Sequence, residues 1–371
     1  MTNHSNFTIA VLAGDGIGTE VMAPCVELLD AVCAAVGGFT LSWNHLDAGA
    51  DHYRRTGVSI PDEALAAARQ ANAILLGAMG LPHIRYPDGT EIAPQLELRE
   101  KLDLYAGVRP IKTFAGLPLP LASPKAANLD AVLVRESTEG LFAARGHCQM
   151  DGDNAARDTM VITRHTSERL FDFAFELARQ RKAQGFAGKV TCVDKANVLG
   201  SFAFFRRIFD ERAERYPDIE ANHCYVDAAG LRLVKSPWEF DVMVTENMFG
   251  DILSDVCAGL MGGMGMAPSA DIGDQQAVFQ PCHGSAPDIV GQGKANPIAT
   301  FLSAALMLDW LGKKHANKAC QDGAGMIVAA VAAALRNGQL IPYELGGTAG
   351  TAQISDAIMG QVEQPVAASL K

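Results

Sequence analysis

The alternation of strand-like and helix-like segments is the feature that most limits how this 371-residue chain can fold. An apolar run at 8–12 predicts a strand, a glycine-rich turn follows it, and apolar residues at helical spacing over 19–36 predict a helix. A second pair is predicted at 61–70 and 71–77, with Pro61 at the start of the helix. Strands that alternate with helices are typical of α/β proteins.

The middle of the chain continues this pattern. We predict buried strands at 130–134, 189–193 and 241–245, with long helices at 166–181 and 201–216. The chain is longer than a single hydrophobic core usually supports, so we expect about two domains.

Charge and cysteine content exclude several classes of protein. The net charge of −11 argues against a nucleic-acid-binding surface, since no stretch rich in lysine and arginine offsets it. The eight cysteines show no zinc-type spacing, which favours reduced thiols in a reducing compartment. The N-terminus lacks a basic segment, and the longest apolar stretch, 326–335, is shorter than the roughly 18 residues of a membrane span. We therefore expect a cytoplasmic protein with no membrane contact.

Two aspartates four residues apart, Asp251 and Asp255, follow the strand predicted at 241–245. If Gly250 opens a helix, both carboxylates lie on one face and can bind a hard divalent cation such as Mg²⁺ or Mn²⁺. Asp227, further upstream, is a third candidate ligand. If this segment is considered alone, an ordinary amphipathic helix that the two aspartates cap and solvate explains the pair better than a metal site.

Basic residues beside other apolar segments change that interpretation. Arg99, Arg109 and Arg135 each lie next to a strand or helix signal. Three guanidinium groups suit a substrate with several carboxylates, because each can bind a carboxylate through two hydrogen bonds. Lys195 ends another apolar run. A lysine and a divalent metal beside these arginines suit chemistry at a hydroxyl next to a carboxylate.

Together these motifs resemble the isocitrate and isopropylmalate dehydrogenase family of β-decarboxylating dehydrogenases. The resemblance extends from 12–18 to 345–350. It implies an α/β, two-domain isopropylmalate dehydrogenase-like fold with mixed sheets flanked by helices. Residues 1–104 and 262–371 would form a discontinuous cofactor-binding domain, and 105–261 would form the dimerisation and metal/substrate domain. The segment 146–158 matches an arm that is exchanged between subunits, with a plain surface loop as the alternative.

The glycines of the first turn argue against a Rossmann site. Gly14, Gly16 and Gly18 have the spacing G-x-G-x-G instead of G-x-G-x-x-G, and no acidic residue ends a clear second strand about 20 residues on. We therefore expect a non-Rossmann fold in which these glycines make a tight strand-to-helix turn.

The resemblance also implies roles for the site residues. The substrate would be a malate unit with a substituent at its third carbon, and its carboxylates would be bound by Arg99, Arg109 and Arg135. Lys195 would help to remove the hydroxyl proton. A metal bound by Asp227, Asp251 and Asp255 would lower the pKa of the hydroxyl and stabilise the enolate left by loss of CO₂. Lys195 and Asp227 would come from the partner subunit of a homodimer with shared active sites.

A loop late in the chain resembles the family's NAD-binding segment. Asp288 would select NAD, since a carboxylate accepts hydrogen bonds from the adenine ribose and repels a 2′-phosphate, whereas NADP-using relatives have lysine and tyrosine at positions 288 and 289. A surface turn is the alternative. The residues assigned to the cofactor are Asn197, His283, Gly284, Ser285, Ala286, Asp288, Ile289 and Asn296.

Three departures from the family pattern leave alternatives open. Phe142 occupies the position of the catalytic tyrosine, and Gln280 that of a glutamate usual in isopropylmalate enzymes. The segment 92–96, which would contact the substituent of the substrate, fits neither the isopropylmalate nor the isocitrate pattern cleanly. The first interpretation is an NAD- and metal-dependent oxidative decarboxylase of a 3-substituted (R)-malate, nearest to 3-isopropylmalate. The alternatives are a tartrate or D-malate dehydrogenase and a catalytically impaired protein that binds NAD or a dicarboxylate.

Overall fold

The computed structural model describes residues 5–363, so residues 1–4, which contributed to the argument against a signal peptide, and 364–371, at the end of the predicted first domain, lie outside it. The strands are β1 (Ser5–Gly14), β2 (Phe39–His45), β3 (Ala73–Ala78), β4 (Ala106–Lys112), β5 (Asp130–Glu136), β6 (Gln149–Asp151), β7 (Ala155–Arg157), β8 (Lys189–Asp194), β9 (Glu220–Tyr225), β10 (Val242–Thr245), β11 (Pro268–Ile272) and β12 (Ala277–Pro281). The helices are α1 (Ile17–Val36), α2 (Ala50–Thr56), α3 (Asp62–Gln70), α4 (Pro94–Lys101), α5 (Arg164–Ala183), α6 (Gly200–Ala213), α7 (Val226–Lys235), α8 (Asn247–Met261), α9 (Ile298–Lys314), α10 (Lys318–Leu335) and α11 (Thr351–Glu363).

Ten of these strands form one mixed sheet in the order β2-β1-β3-β12-β11-β4-β5-β10-β8-β9. The antiparallel pairs lie in the middle, where β11 pairs with both β12 and β4, and β4 pairs with β5. The predicted α/β class with a mixed sheet is therefore confirmed. Strands of the two predicted domains occupy opposite halves of the sheet and meet where β11 pairs with β4; the division into domains stays a prediction.

Most predicted elements are present, and three boundaries were wrong. Strand β1 begins at Ser5, three residues before the predicted start. Helix α6 ends at Ala213, three residues before the predicted end, where the chain turns and the Tyr216 amide donates to the Ala213 carbonyl. Helix α8 begins at Asn247 instead of Gly250, because the Glu246 side chain caps it by accepting hydrogen bonds from the amides of Met248 and Phe249.

The first turn joins β1 to α1 as predicted. Gly14 and Gly16 have φ values of 76° and 57°, which side chains disfavour. A Cβ at Gly16 would lie 2.1 Å from the Ser285 carbonyl oxygen, and that oxygen accepts a hydrogen bond from the Ile17 amide. The turn is therefore packed against the loop that the resemblance assigns to the cofactor.

Two peripheral segments bear on other predictions. Strands β6 and β7 form an antiparallel hairpin within 146–158, so this segment is not a plain loop, and its exchange between subunits stays a prediction. The apolar stretch at 326–335 belongs to the longer helix α10, which has the length and composition of a membrane span, contrary to our expectation from the stretch alone. Residues Ile327, Val331 and Leu335 of α10 are fully buried in the core, as in a core helix of a globular protein.

Candidate active site

A cavity of about 360 Å³ brings together most of the residues predicted to act on substrate. Arg99 on α4, Arg109 on β4 and Arg135 on β5 line it, together with Asp251 and Asp255 on α8. Gln95, from the segment expected to contact the substituent, also lines it, as do residues that sequence analysis did not assign to the site, including Thr90, Glu91, Arg145 and Ser254. Basic and acidic side chains thus surround a space large enough for a small anion and a cation.

Arg135 joins the arginine group to helix α8. Its guanidinium donates to the Asn247 side-chain oxygen from Nε and Nη2, at 3.0 and 2.7 Å, and forms an ion pair with Asp251 through Nη1. A Cβ on Gly250 would lie 2.5 Å from Arg135 Cγ, so glycine at this position leaves room for the arginine. Burial and the positive charge of Arg99 lower the pKa of Arg135 to about 10.

The residue that holds the other two arginines was missed by sequence analysis. Asp271 on β11 is fully buried and accepts hydrogen bonds from Arg99 Nε at 3.0 Å and from Arg109 Nη2 at 2.9 Å. Burial alone would raise the pKa of Asp271, but the charges of Arg109 and Arg99 outweigh that effect and hold the pKa well below its ordinary value. A charged residue between the apolar residues Ala270 and Ile272 was the available signal in the sequence.

The two aspartates of α8 fit a hard cation in donor chemistry. Asp251 and Asp255 lie one helical turn apart, and burial together with the charge of Asp251 raises the pKa of Asp255. A divalent cation would relieve this repulsion between like charges. Within residues 5–363, no three acidic, histidine or cysteine side chains of one chain come together as a metal site. Asp227, the third predicted ligand, therefore does not lie beside this pair in the described chain.

Lys195 and Asp227 lie together, but not in the cavity lining. Lys195 follows β8, Asp227 lies in the first turn of α7, and Lys195 Nζ is 2.7 Å from Asp227 Oδ1. This hydrogen bond lowers the pKa of Asp227, whose side chain is 69% exposed. Asn197, predicted to contact the cofactor, is also exposed and lines a separate surface depression with Tyr225 and Arg206. These three residues therefore lie at the surface of the chain, outside the cavity lining.

The predicted cofactor loop borders the cavity through His283 and Gly284. Burial lowers the pKa of His283, and its Nε2 atom is buried without a hydrogen-bond partner in the described part of the chain, as expected of a group that meets a ligand. Ala286 has a positive φ of 36°, which keeps the loop in a tight conformation. Asp288 is exposed, whereas Asn296 is buried and donates to Glu344. The loop therefore leaves His283 and Asp288 available to a ligand, whereas Asn296 is engaged by Glu344.

Phe142 covers one of the arginines. Its ring centroid lies 5.1 Å from Arg135 Cζ, and the ring lines the cavity at the position that the resemblance assigns to a tyrosine. The described cavity wall contains no tyrosine. The site therefore keeps the aromatic ring over Arg135 and lacks the phenolic proton.

Known proteins resemble this chain over nearly its whole length. A family model described as isocitrate/isopropylmalate dehydrogenase matches residues 8–358. The chain is 41% identical to the 3-isopropylmalate/3-methylmalate dehydrogenase of Methanocaldococcus jannaschii, with 96% of this chain and 99% of that protein covered. It is 39% identical to the 3-isopropylmalate dehydrogenase of Aquifex aeolicus, covering 96% and 98%. The crystal structure of isocitrate dehydrogenase from Methylococcus capsulatus superposes with a TM-score of 0.84 at 36% identity, covering 96% and 100%.

Proposed function

The chain belongs to the isocitrate/isopropylmalate dehydrogenase family, and from this premise we propose that it is a cytoplasmic NAD- and divalent-metal-dependent dehydrogenase that oxidatively decarboxylates a 3-substituted (R)-malate, nearest to 3-isopropylmalate. The observation that carries the proposal is the single cavity that unites Arg99, Arg109 and Arg135 with Asp251 and Asp255, next to the loop containing His283. Relatives named for 3-isopropylmalate support the choice of substrate.

Different side chains of the cavity would bind the substrate, the cation and the cofactor. The free donors of the arginines bind the substrate carboxylates and orient the malate unit. Asp251 and Asp255, with Asp227, would hold a divalent cation, and when bound NAD would supply the oxidant and the cation positive charge for the developing oxyanion. Lys195 would remove the hydroxyl proton, and Asp288 would accept hydrogen bonds from the adenine ribose of NAD. The His283 Nε2 atom, which has no hydrogen-bond partner within residues 5–363, lies where the cofactor loop meets the cavity.

A homodimer completes the site in this proposal. Lys195 and Asp227 lie on the surface of one subunit, away from its own cavity lining. Large apolar side chains beside these elements are exposed, as expected of a surface that a second copy covers: Val198, Leu199, Leu231, Val234 and Ile252. Ile252 adjoins Asp251 on α8. We therefore propose that the partner subunit's Lys195 and Asp227 complete the cavity across this interface.

A substrate panel tests the activity and separates the alternatives. NADH formation would be followed with 3-isopropylmalate, 3-methylmalate, D-malate, tartrate and isocitrate, with Mn²⁺ and with EDTA. We expect the highest kcat/KM for a 3-alkylmalate and no turnover with EDTA. A preference for tartrate or D-malate selects the second candidate. Binding of NAD or substrate with no turnover on any compound identifies an impaired family member.

Mixing two inactive variants tests the shared site. Lys195→Ala and Asp251→Asn subunits would be unfolded and refolded together. If the lysine acts in the partner's cavity, each mixed dimer has one site with both residues intact, and activity returns. If the lysine acts in its own chain, every site lacks one residue and the mixture stays inactive. Each variant refolded alone is the matched control.

A further inference from the structure

Asp271 is a buried carboxylate that the proposed chemistry does not use. It is surrounded by donors: Oδ1 accepts from Arg109 Nη2, and Oδ2 accepts from both Arg99 Nε and the amide Nε2 of Gln280, the last at 2.8 Å. The facing residue of β4 is Gly107, where a Cβ would lie 3.1 Å from Asp271 Oδ1. The fold therefore makes room for this carboxylate and saturates it with hydrogen bonds.

Gln280 is explained by this contact. It lies on β12, adjacent to β11, and its amide donates to Asp271. A glutamate at position 280 would place a second carboxylate within hydrogen-bonding distance of the first, and the like charges would repel each other in a buried environment. Glutamine at position 280, which departs from the isopropylmalate pattern, is thus the residue type that suits a neighbouring Asp271. Of these two adjacent positions, the carboxylate is on β11 and the amide is on β12.

Asp271 also limits what the arginines offer to a substrate. Arg109 donates to Asp271 and to the carbonyls of Val108 and Ala270. Arg99 donates its Nε to Asp271, which leaves its two terminal nitrogens for a ligand. The carboxylate reduces the charge of this arginine pair from two to one. A pair with one net charge matches one substrate carboxylate, which the terminal nitrogens of Arg99 can bind.

We propose that Asp271 is a positioning residue that sets the charge class of the substrate: it aligns Arg99 and Arg109 and halves their charge, so that the cavity accepts a dianionic malate with an uncharged substituent and discriminates against a trianion with a third carboxylate. This inference rests on the proposed function for the identity of the malate unit. It predicts selectivity for 3-alkylmalates over isocitrate-like substrates.

Equilibrium binding tests the inference without turnover. Isopropylsuccinate and tricarballylate share a succinate backbone. The substituent of isopropylsuccinate is uncharged, whereas that of tricarballylate carries a third carboxylate. Their affinities would be measured by calorimetry for the wild type, Asp271→Asn, the charge-exchange variant Asp271→Asn/Gln280→Glu and the control Asp241→Asn. Asp241 is a buried aspartate that precedes β10, pairs with Arg181 and does not line the cavity, so its variant reports the cost of breaking a buried pair elsewhere.

The wild type should bind isopropylsuccinate more tightly than tricarballylate. Asp271→Asn should shift the ratio of affinities toward tricarballylate by about tenfold or more, because one added unit of positive charge acts on one extra substrate charge. The charge-exchange variant should restore the wild-type preference, and Asp241→Asn should not change it. Equal weakening of both ligands by Asp271→Asn, or no rescue by charge exchange, overturns the proposal.

The wild-type measurement decides the matter even if Asp271→Asn does not fold, since tighter binding of tricarballylate by the wild type contradicts the inference directly. The inference and the proposed function fail separately. If the protein prefers isopropylsuccinate but forms no NADH from any malate, the proposed activity is wrong and the proposed role of Asp271 is not contradicted. A protein that turns over isocitrate best retains a dehydrogenase activity and loses the role of Asp271.

Discussion

Phe142→Tyr adds one hydroxyl group to the cavity wall and leaves the rest of the site in place. The ring stays over Arg135, at 5.1 Å from its Cζ, so a cation–π contact of about 0.5–1 kcal/mol is retained. Phe142 is half-buried at the cavity surface, so the new hydroxyl is not forced into a dry core. We therefore expect a change in the free energy of unfolding of no more than about 0.5 kcal/mol.

The effect on turnover can be much larger. A positioned general acid contributes about 10²–10⁴-fold, and phenylalanine has no proton to give to the enolate. If water or another acid performs this step slowly in the wild type, Phe142→Tyr should raise kcat on a decarboxylating substrate toward that range. Substrates that are oxidised without losing CO₂ should gain less, since hydride transfer does not need this proton.

Steady-state and single-turnover NADH measurements on both proteins separate the steps. The single-turnover rate of NADH formation should be unchanged, and kcat should rise. Phe249→Tyr is the matched control, because Phe249 stacks on Phe202 at 4.6 Å and does not line the cavity. An unchanged kcat in a folded Phe142→Tyr protein refutes the idea that the missing acid at position 142 limits turnover. Phe142 then serves only to pack against Arg135.

Three further outcomes follow from the site and its surroundings. Asp251→Asn should weaken Mn²⁺ binding in the presence of substrate by more than the roughly 10–100-fold typical of residues behind the metal ligands, and unchanged affinity by calorimetry would show that the metal site is misplaced. NAD should be preferred over NADP by about tenfold or more in kcat/KM, because Asp288 repels a 2′-phosphate even though solvent screens this exposed carboxylate; equal efficiency refutes the assignment. Burial raises the pKa of Glu136 from 4.5 to about 7. Between these two pH values the folded state holds a proton that the unfolded state has lost. The free energy of unfolding should therefore fall as pH rises through this interval, by up to roughly 3 kcal/mol. Urea unfolding of Glu136→Gln should show a flatter pH profile over the same interval, and an identical slope in the two proteins would exclude Glu136 as the cause.

The architecture could be predicted because local signals agreed with one another. Apolar runs between turn residues identified strands such as β3, β5 and β8, and helical spacing identified α1 and α5. The ends of α6 and α8 could not be predicted as well, because they depend on a turn at Tyr216 and on a side-chain cap from Glu246. The extent of α10 was missed because polar residues precede its apolar half.

The cavity-lining residues were predictable where they lie next to strand or helix signals and carry a family motif, as the three arginines and Asp251 show. Asp271 was not predictable in the same way, because its role depends on the antiparallel register that places β11 beside β4. Neither Arg99 nor Arg109 lies close to Asp271 in the sequence. The position of Lys195 on the subunit surface likewise depends on the folded chain, not on the motif that contains it.

The most direct test of the proposed function is the stoichiometry of its products. Purified protein would be incubated with NAD, Mn²⁺ and 3-isopropylmalate, and NADH and CO₂ would be measured in the same samples, with EDTA and the Arg135→Gln variant as controls. We predict one CO₂ for each NADH, with neither product formed when EDTA is present. Formation of NADH without CO₂, or turnover that persists in EDTA, would contradict metal-dependent oxidative decarboxylation of a 3-substituted malate.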